Sequence, residues 1–367
     1  MPSGRTFETD QKEIIMDMRK ITWVLCVGIT AVILTSLAFA GGQERTGTNA
    51  APELLIPVGA RDLAMGGASV ATTSGIDALY WNPAGLARSS FGAQAMFSHM
   101  SYIADIPVNY FAVGASFEGF GSLGFSLKSL GIGDIAVTNE DFPDGTGEII
   151  TPTYVTLGAT YSRMLAENIS VGVTGNLISE RIDRVSASGI AFSAGVQYSN
   201  LGNVPGLNIG VAIKNIGPQM QFDGSALLRQ GEVGENRQGY YKIEAGSFEL
   251  PSTIEIGGSY TRTFSDDNIV TLVSLFQNNN FSVDEYKIGA EYSYRNYFFV
   301  RGGWDIAESM TDPSLPSNVD QSTYLYGATA GVGVHSNLGD MDVTVDYAYR
   351  SVKFLDGNHI ISIKLGF

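Results

Sequence analysis

From residue 93 to residue 367, apolar and polar positions alternate with a period of two, in segments of roughly ten residues. The pattern predicts strands at 93–102, 108–117, 121–130, 152–163, 168–182, 188–199, 206–217, 251–263, 268–277, 281–292, 297–304, 324–335, 340–350 and 358–367. That makes fourteen, and a closed single-chain bacterial barrel needs an even count. The last segment alternates most plainly: Ile361, Ile363, Leu365 and Phe367 fall on one face, Ser362, Lys364 and Gly366 on the other. Chain ends usually fray. A well-patterned final strand makes sense if it must pair with the first one to close a membrane barrel.

The connections sort by parity. Those at 131–151, 218–250 and 305–323 are the three longest, and all join an odd strand to the next even one. The even-to-odd connections 118–120, 164–167, 200–205, 264–267, 293–296 and 336–339 are all short. Long outer loops and short periplasmic turns are the habit of outer-membrane barrels. On the outward set, Phe117, Tyr161, Tyr198, Tyr260, Tyr292 and Phe367 sit near the lower strand ends, as an aromatic girdle would. In 324–335 the outward set instead begins with Tyr324 and Tyr326 at the upper end. Alternation turns Val155, Leu157, Ala159 and Tyr161 to lipid, with Ile190, Phe192, Ala194, Val196 and Tyr198, and with Met341, Val343, Val345, Tyr347 and Tyr349. It turns Asp342, Asp346, Arg350, Lys214, Glu255, Lys287 and Glu291 to the lumen. A charge facing lipid at the midplane would cost roughly 2–4 kcal/mol.

The front of the chain reads as a secretory leader over residues 1–40. Met18-Arg19-Lys20 precedes an apolar run from Ile21 to Leu37, and Ala38-Phe39-Ala40 forms a small-residue cleavage site. The polar residues before it leave Met16 or Met18 open as the true start. Cys26, the sole cysteine, lies in the run, so the mature chain has no thiol chemistry. The leader holds four basic and four acidic residues, so the mature chain keeps the net charge of −15. That charge excludes nucleic acid as a partner. Charged residues make up only 16% against about 25% in soluble domains. No apolar run after the leader is long enough for a membrane helix, so spanning falls to strands.

Residues 41–91 precede the barrel, which takes 92–367. Within them stand Met65-Gly66-Gly67-Ala68 and, further on, Tyr80-Trp81-Asn82-Pro83-Ala84-Gly85-Leu86. Asn82 before Pro83 suits a helix start, with an Asn cap and Pro in the first turn. Gly66-Gly67 permits close backbone approach. A compact, partly apolar piece ahead of a barrel can sit inside it as a plug. These two runs resemble the amino-terminal hatch of the FadL-like outer-membrane superfamily, and within it the PorV/PorQ family. The resemblance covers residues 51–367 and implies a fourteen-stranded antiparallel transmembrane β-barrel with an internal hatch. Met65, Gly66, Gly67, Trp81, Asn82, Pro83, Ala84 and Gly85 would be the hatch motif. The chain's ending likewise resembles the carboxy-terminal signal of such barrels, making Ile363, Leu365 and Phe367 the part that barrel-assembly machinery reads. In FadL-type members the hatch gates hydrophobic molecules, which leave sideways through the wall. In PorV/PorQ-type members the barrel serves type IX protein secretion, holding an exported or surface-anchored protein through its outer loops. The hatch motif is common to both branches, and a purely structural plug is a third role for it.

Other patterns carry less. Gly119-Phe-Gly121-Ser-Leu-Gly124 has dinucleotide-site spacing but no following helix. His99, His335 and His359 fall in separate strands, and no triad or metal spacing appears, so no enzyme, metal or cofactor is expected. The loop from Asn139 to Glu148 clusters carboxylates but lacks the ligand order of a Ca²⁺ loop, and reads as a solvated acidic loop. The expected role is an outer-membrane barrel in contact with lipid that holds an exported protein. The 218–250 loop, with Arg229, Glu232, Glu235, Asn236, Arg237, Tyr240 and Tyr241, is polar with aromatic anchors, as protein contacts are. The alternative is a channel for a hydrophobic small molecule, with an apolar mouth at Phe222, Leu227, Leu228 and Phe248. A nonselective pore is a third.

Overall fold

The computed structural model describes residues 45, 47–232, 238–307 and 324–367. The expected leader therefore lies outside the described residues, as do Glu235, Asn236 and Arg237 of the long loop. Fourteen long strands form the wall. They are β1 (Ala93–Ser101), β2 (Pro107–Phe117), β3 (Gly121–Gly131), β4 (Thr153–Ala166), β5 (Ile169–Ile182), β6 (Val185–Tyr198) and β7 (Leu207–Ile216). The second half comprises β8 (Thr253–Ser265), β9 (Asn268–Asn279), β10 (Glu285–Tyr294), β11 (Phe298–Ala307), β12 (Tyr326–Leu338), β13 (Met341–Val352) and β14 (Asn358–Gly366). Each pairs antiparallel with its sequence neighbours. The ring closes where Gln94–Ser101 of β1 pairs with His359–Gly366 of β14. No helix among the described residues is long and apolar enough to cross a membrane.

Strand faces follow the alternation. Phe97, Phe111, Phe125, Leu157, Val173, Phe192, Leu272, Ile288, Val300, Val332 and Val345 are exposed on the outer wall, while their neighbours along each strand turn inward. This apolar outer surface matches an acyl-chain environment, and the inward positions are polar or small. The even-to-odd turns are short, and the long excursions leave the other rim.

The structure departs from the simple alternation in three places. β6 begins at Val185, so β5 and β6 join through Asp183-Arg184 alone; Asp183 takes the turn with φ 51°. β10 begins at Glu285 and not at 281, because Asp284 takes hydrogen bonds from Asn278 Nδ2 and Asn279 N, which folds 280–284 into a loop. Neither Tyr324 nor Tyr326 faces lipid; both line the lumen. The β12–β13 register shifts between Tyr326 and Thr329, and an extra residue flips every side chain beyond it to the other face. Tyr326 then hydrogen-bonds Tyr102 inside the lumen and lies beneath Arg350.

Residues 50–88 fill the lumen. The segment contains α1 (Ala60–Ala64), α2 (Ala78–Trp81) and 3-10 turns at Pro52–Leu55, Gly75–Asp77 and Pro83–Arg88. Every apolar cluster among the described residues mixes this hatch with the wall. Ile56, Ala60, Leu63 and Ala64 meet Met100, Val108, Leu130, Ala348 and Ile360. Leu54 meets Ile178, Ala191, Met220 and Leu250. Ile76, Leu79 and Leu86 meet Met96, Tyr110 and Ala112, and Met65 and Val70 meet Ala212, Val273 and Leu275. Each fully buried Leu, Ile, Val or Met contributes about 1.5–3 kcal/mol. The described barrel thus has no apolar core apart from its hatch.

The hatch crosses the lumen from one rim to the other. At the long-loop rim, Arg45 pairs with Glu249 at 2.5 Å and lies over the Phe281 ring, and Ala50 N donates to Glu249 O. At the short-turn rim, Arg88 donates to Ser170, Ser199, Asn168 O and Gln197 O.

Candidate functional site

The hatch motif folds into one joint. α1 ends at Ala64 with Met65 as its cap, and Gly66 and Gly67 turn the chain with φ of 71° and 73°, values that favour glycine. Gly66 N donates to Thr329 Oγ1, whose hydroxyl donates to Ala64 O. The Trp81 ring lies across Gly67, where an added Cβ would come within 2.9 Å of it, and Trp81 Nε1 donates to Val58 O at 3.0 Å. The two separated halves of the motif therefore touch. Asn82 is fully buried. Its Oδ1 caps the 3-10 turn through Ala84 N at 3.1 Å, and its Nδ2 donates to Val70 O and Val196 O. Pro83 starts that turn, Ala84 O accepts from Ser162 Oγ, and Gly85 passes so close to Thr73 that a Cβ would meet its carbonyl at 2.2 Å. These residues hold the hatch together and to the wall. Several also floor the cavity described below.

The wall makes room for the hatch backbone. A Cβ at Gly172 would stand 2.4 Å from the Pro83 carbonyl, one at Gly210 2.3 Å from Val70 O, and one at Gly303 2.3 Å from Gly66 N. These inward glycines belong to β5, β7 and β11, so the seat surrounds the hatch.

Buried ions add a second tie. Arg61 of the hatch bridges Asp62 at 3.3 Å and Glu291 at 3.1 Å; Glu291 also binds Arg301 at 2.6 Å. Arg301 continues to Asp346 at 2.7 Å, Asp346 to Lys364 at 3.2 Å, and Lys364 back to Asp77 of the hatch at 2.8 Å. Alternation placed Glu291 and Asp346 in the lumen, but only the fold shows that they meet Arg61 and each other. Gln197, which donates to Val70 O and Thr73 O, and Arg88 were not singled out in the sequence. Their only signal there is an inward polar position and a lone arginine before the first strand.

Above the hatch lies a cavity of about 550 Å³. Leu54, Ile56, Leu79, Tyr80 and Trp81 form its floor, and Tyr102, Tyr110, Lys128, Lys214, Tyr326 and Arg350 part of its wall. Lys214 pairs with Glu255 at 2.8 Å and Lys287 with Glu285 at 2.6 Å. Lys128 donates to Glu53 O at 2.6 Å and to Ile56 O. The space is thus amphipathic. The four apolar residues expected at the mouth do not converge. Phe222 and Phe248 line a rim recess of about 230 Å³ with Met220, whereas Leu228 is exposed on a projecting hairpin.

Glu53 is buried opposite Glu180, and neither oxygen of its carboxyl receives a donor from the described residues. A proton held between the two carboxyls would give each a partner. Burial pushes the Glu53 carboxyl up to about 8, with the Glu180 charge adding to the shift and nearby Lys128 opposing it. Because the folded value lies above the ordinary 4.5, the stabilisation is complete below that value and is lost as pH rises through about 8. The 47–55 segment is therefore expected to loosen over this range. Reactivity of Ala50→Cys towards a thiol reagent, taken relative to exposed Thr138→Cys, measures it, and Glu53→Gln should flatten the profile. A flat profile in the parent would dismiss the shared proton.

The carboxy-terminal strand carries Ile363 and Phe367 on its outer face, with Leu365 half-buried beside them, and Phe367 N donates to Ala93 O. Comparison with known proteins places the whole. No curated protein matches the chain in sequence. Its fold is similar to that of the toluene transporter TodX of P. putida, with TM-score 0.54, 13% identity, and 85% of this chain and 99% of that one covered. It is also similar to the toluene transporter TbuX of Ralstonia pickettii (TM-score 0.52, 15% identity, 85% and 98% covered). The CymD monoaromatic hydrocarbon channel is comparable (TM-score 0.53, 14% identity, 85% and 98% covered). At these identities the likeness is one of fold. The model for the type IX secretion system protein PorV matches residues 39–232, more than half of the chain. Since that match runs through the hatch joint and the first seven strands of a closed outer-membrane barrel, the chain belongs to the PorV family of FadL-like barrels.

Proposed function

We propose that the protein is a closed outer-membrane scaffold whose extracellular loops hold an exported or surface-attached protein. The observation that carries this reading is the hairpin Leu228–Glu232/Gln238–Lys242 in the β7–β8 loop. It projects from the long-loop rim, with Tyr240 73% and Tyr241 51% exposed among polar neighbours. Exposed tyrosines on a polar projection suit a protein interface, where aromatic anchors concentrate the binding energy. Family membership agrees, and a hatch seated on wall backbone leaves the barrel poorly suited to act as an open pore.

Gentle-detergent capture of the tagged protein from outer membranes, with mass spectrometry of proteins and lipids, tests this reading. A stoichiometric surface protein lost on deletion of 218–250 is the expected result. Capture of a hydrophobic molecule with no protein would reject it in favour of a channel. The channel reading has its own support in the amphipathic cavity above the hatch. It is also favoured by a discontinuity in the wall, because β7 pairs with β6 only up to Ile216, opposite Phe192. Beyond that point Met220 packs against Gly189, and the ladder with β6 resumes only where Asp223–Gly224 pairs with Val185–Ser186.

A further inference from the structure

We infer that the β3–β4 loop is a second docking element, one that takes a basic, partly apolar segment of the exported partner; this rests on the function proposed above. The loop is ordered beyond the wall. Ile135–Ala136 pairs with Ile149–Ile150, Val137 N donates to Glu148 O at 2.9 Å, and Thr146 N donates to Val137 O at 2.7 Å. The tip is fixed by Asn139, whose Oδ1 accepts from Asp141 N at 3.0 Å and Phe142 N at 2.7 Å, and by Gly145 N donating to Phe142 O. This geometry holds Phe142 outward, 58% exposed, with Ile149 61% and Ile135 47% exposed behind it. Holding a large apolar ring in water on an ordered turn costs solvation that a partner's pocket would recover.

Charge identifies that partner. Asp134, Glu140, Asp141, Asp144 and Glu148, all exposed, flank the three apolar residues along the loop, and residues 132–152 contain no Lys, Arg or His. Among the described residues none of the five carboxylates forms an ion pair, although Asp134 accepts a hydrogen bond from Thr151 Oγ1. The 228–242 hairpin differs, since Arg229 and Lys242 accompany its carboxylates. A ring of one sign around an apolar knob selects a surface of the opposite sign and speeds its approach. A second copy of this chain, at net −15, is a poor match, and so is a phosphate-bearing lipid headgroup. A Ca²⁺ cage fits badly because Asn139 Oδ1 is occupied by two backbone donors and the carboxylates point into solvent.

The test is a photo-crosslinking aromatic residue in place of Phe142 in intact cells, with the same residue in place of Tyr240 as reference. The expected product at 142 is a polypeptide joined through a segment of net positive charge. Its yield should fall about tenfold in Glu140→Gln/Asp141→Asn/Asp144→Asn/Glu148→Gln, and likewise in the parent at about 0.5 M salt. Unchanged heat-modifiable gel mobility verifies that the variant barrel is folded. A neutral or acidic captured segment, a lipid adduct, or an unaltered yield in the variant would overturn the inference. So would silence at 142 with capture at 240, which would leave the proposed function standing. Silence at both positions would remove the two together.

Discussion

Gly303→Ala is expected to unseat the hatch, whereas Gly302→Ala, its neighbour in β11, should be nearly silent. The added Cβ at 303 would lie 2.3 Å from Gly66 N and 2.4 Å from Met65 C, both backbone atoms that no rotamer change can move. At 302 the nearest atom is Thr329 O at 3.9 Å, an ordinary contact. Gly172→Ala should act like 303, since it drives a Cβ to 2.4 Å from the Pro83 carbonyl across the lumen. Overpacking of this kind costs about 1–3 kcal/mol per site. Here the hatch supplies the apolar lining of the barrel, so the damage should spread. The checks are the heat-modifiable gel shift, protease access to the hatch, and ion conductance in planar bilayers. A Gly172→Ala/Gly303→Ala double variant with a protected hatch and parental heat stability would refute the seating.

Arg301→Met should be the most damaging single change in the ion chain. Its side chain is only 1% exposed and joins Glu291 at 2.6 Å to Asp346 at 2.7 Å. Removing it leaves both carboxylates buried, each with a single remaining cation, Arg61 and Lys364 respectively. Breaking a buried pair from one side costs about 3–5 kcal/mol. Arg295→Met removes a pair with Asp267 at 3.1 Å that joins two short turns in open solvent, and should change little. Thermal midpoints of the two variants, read by loss of the folded gel band, make the comparison. Equal midpoints would mean that the buried chain is ornamental.

The wall could be read from the sequence because its period is two and its loops sort by parity, and both are local properties. Counting alone puts Lys214, Glu255, Lys287 and Arg350 in the lumen, and all four line its cavity. Counting fails where a residue is inserted, so the bulge between Tyr326 and Thr329 sent Tyr326 to the wrong face. The hatch motif was visible as a string, and the Asn82 cap followed from Asn-Pro chemistry. What the string concealed was contact at a distance: Gly67 beneath Trp81, Gly195 beside Asn82, and Arg61 reaching Glu291. Inward glycines are detectable by register, but the hatch atom each one faces depends on how the chain coils inside a closed ring.

That coiling bears on biogenesis. Residues 50–92 run through the lumen from the long-loop rim, where Ala50 is tied to Glu249, to the short-turn rim, where Gly92 N donates to Phe367 O. A finished ring admits a thread only end-first. The wall must therefore fold around the segment and zip β1 to β14 last, or the leading end must be drawn up through the bore before the lumen packs. A bulky folded domain joined ahead of residue 45 would stand at the outer mouth and could not follow by the second route. It would have to reach the cell surface before the seam closed, so the described chain sets a temporal order on anything attached to its front.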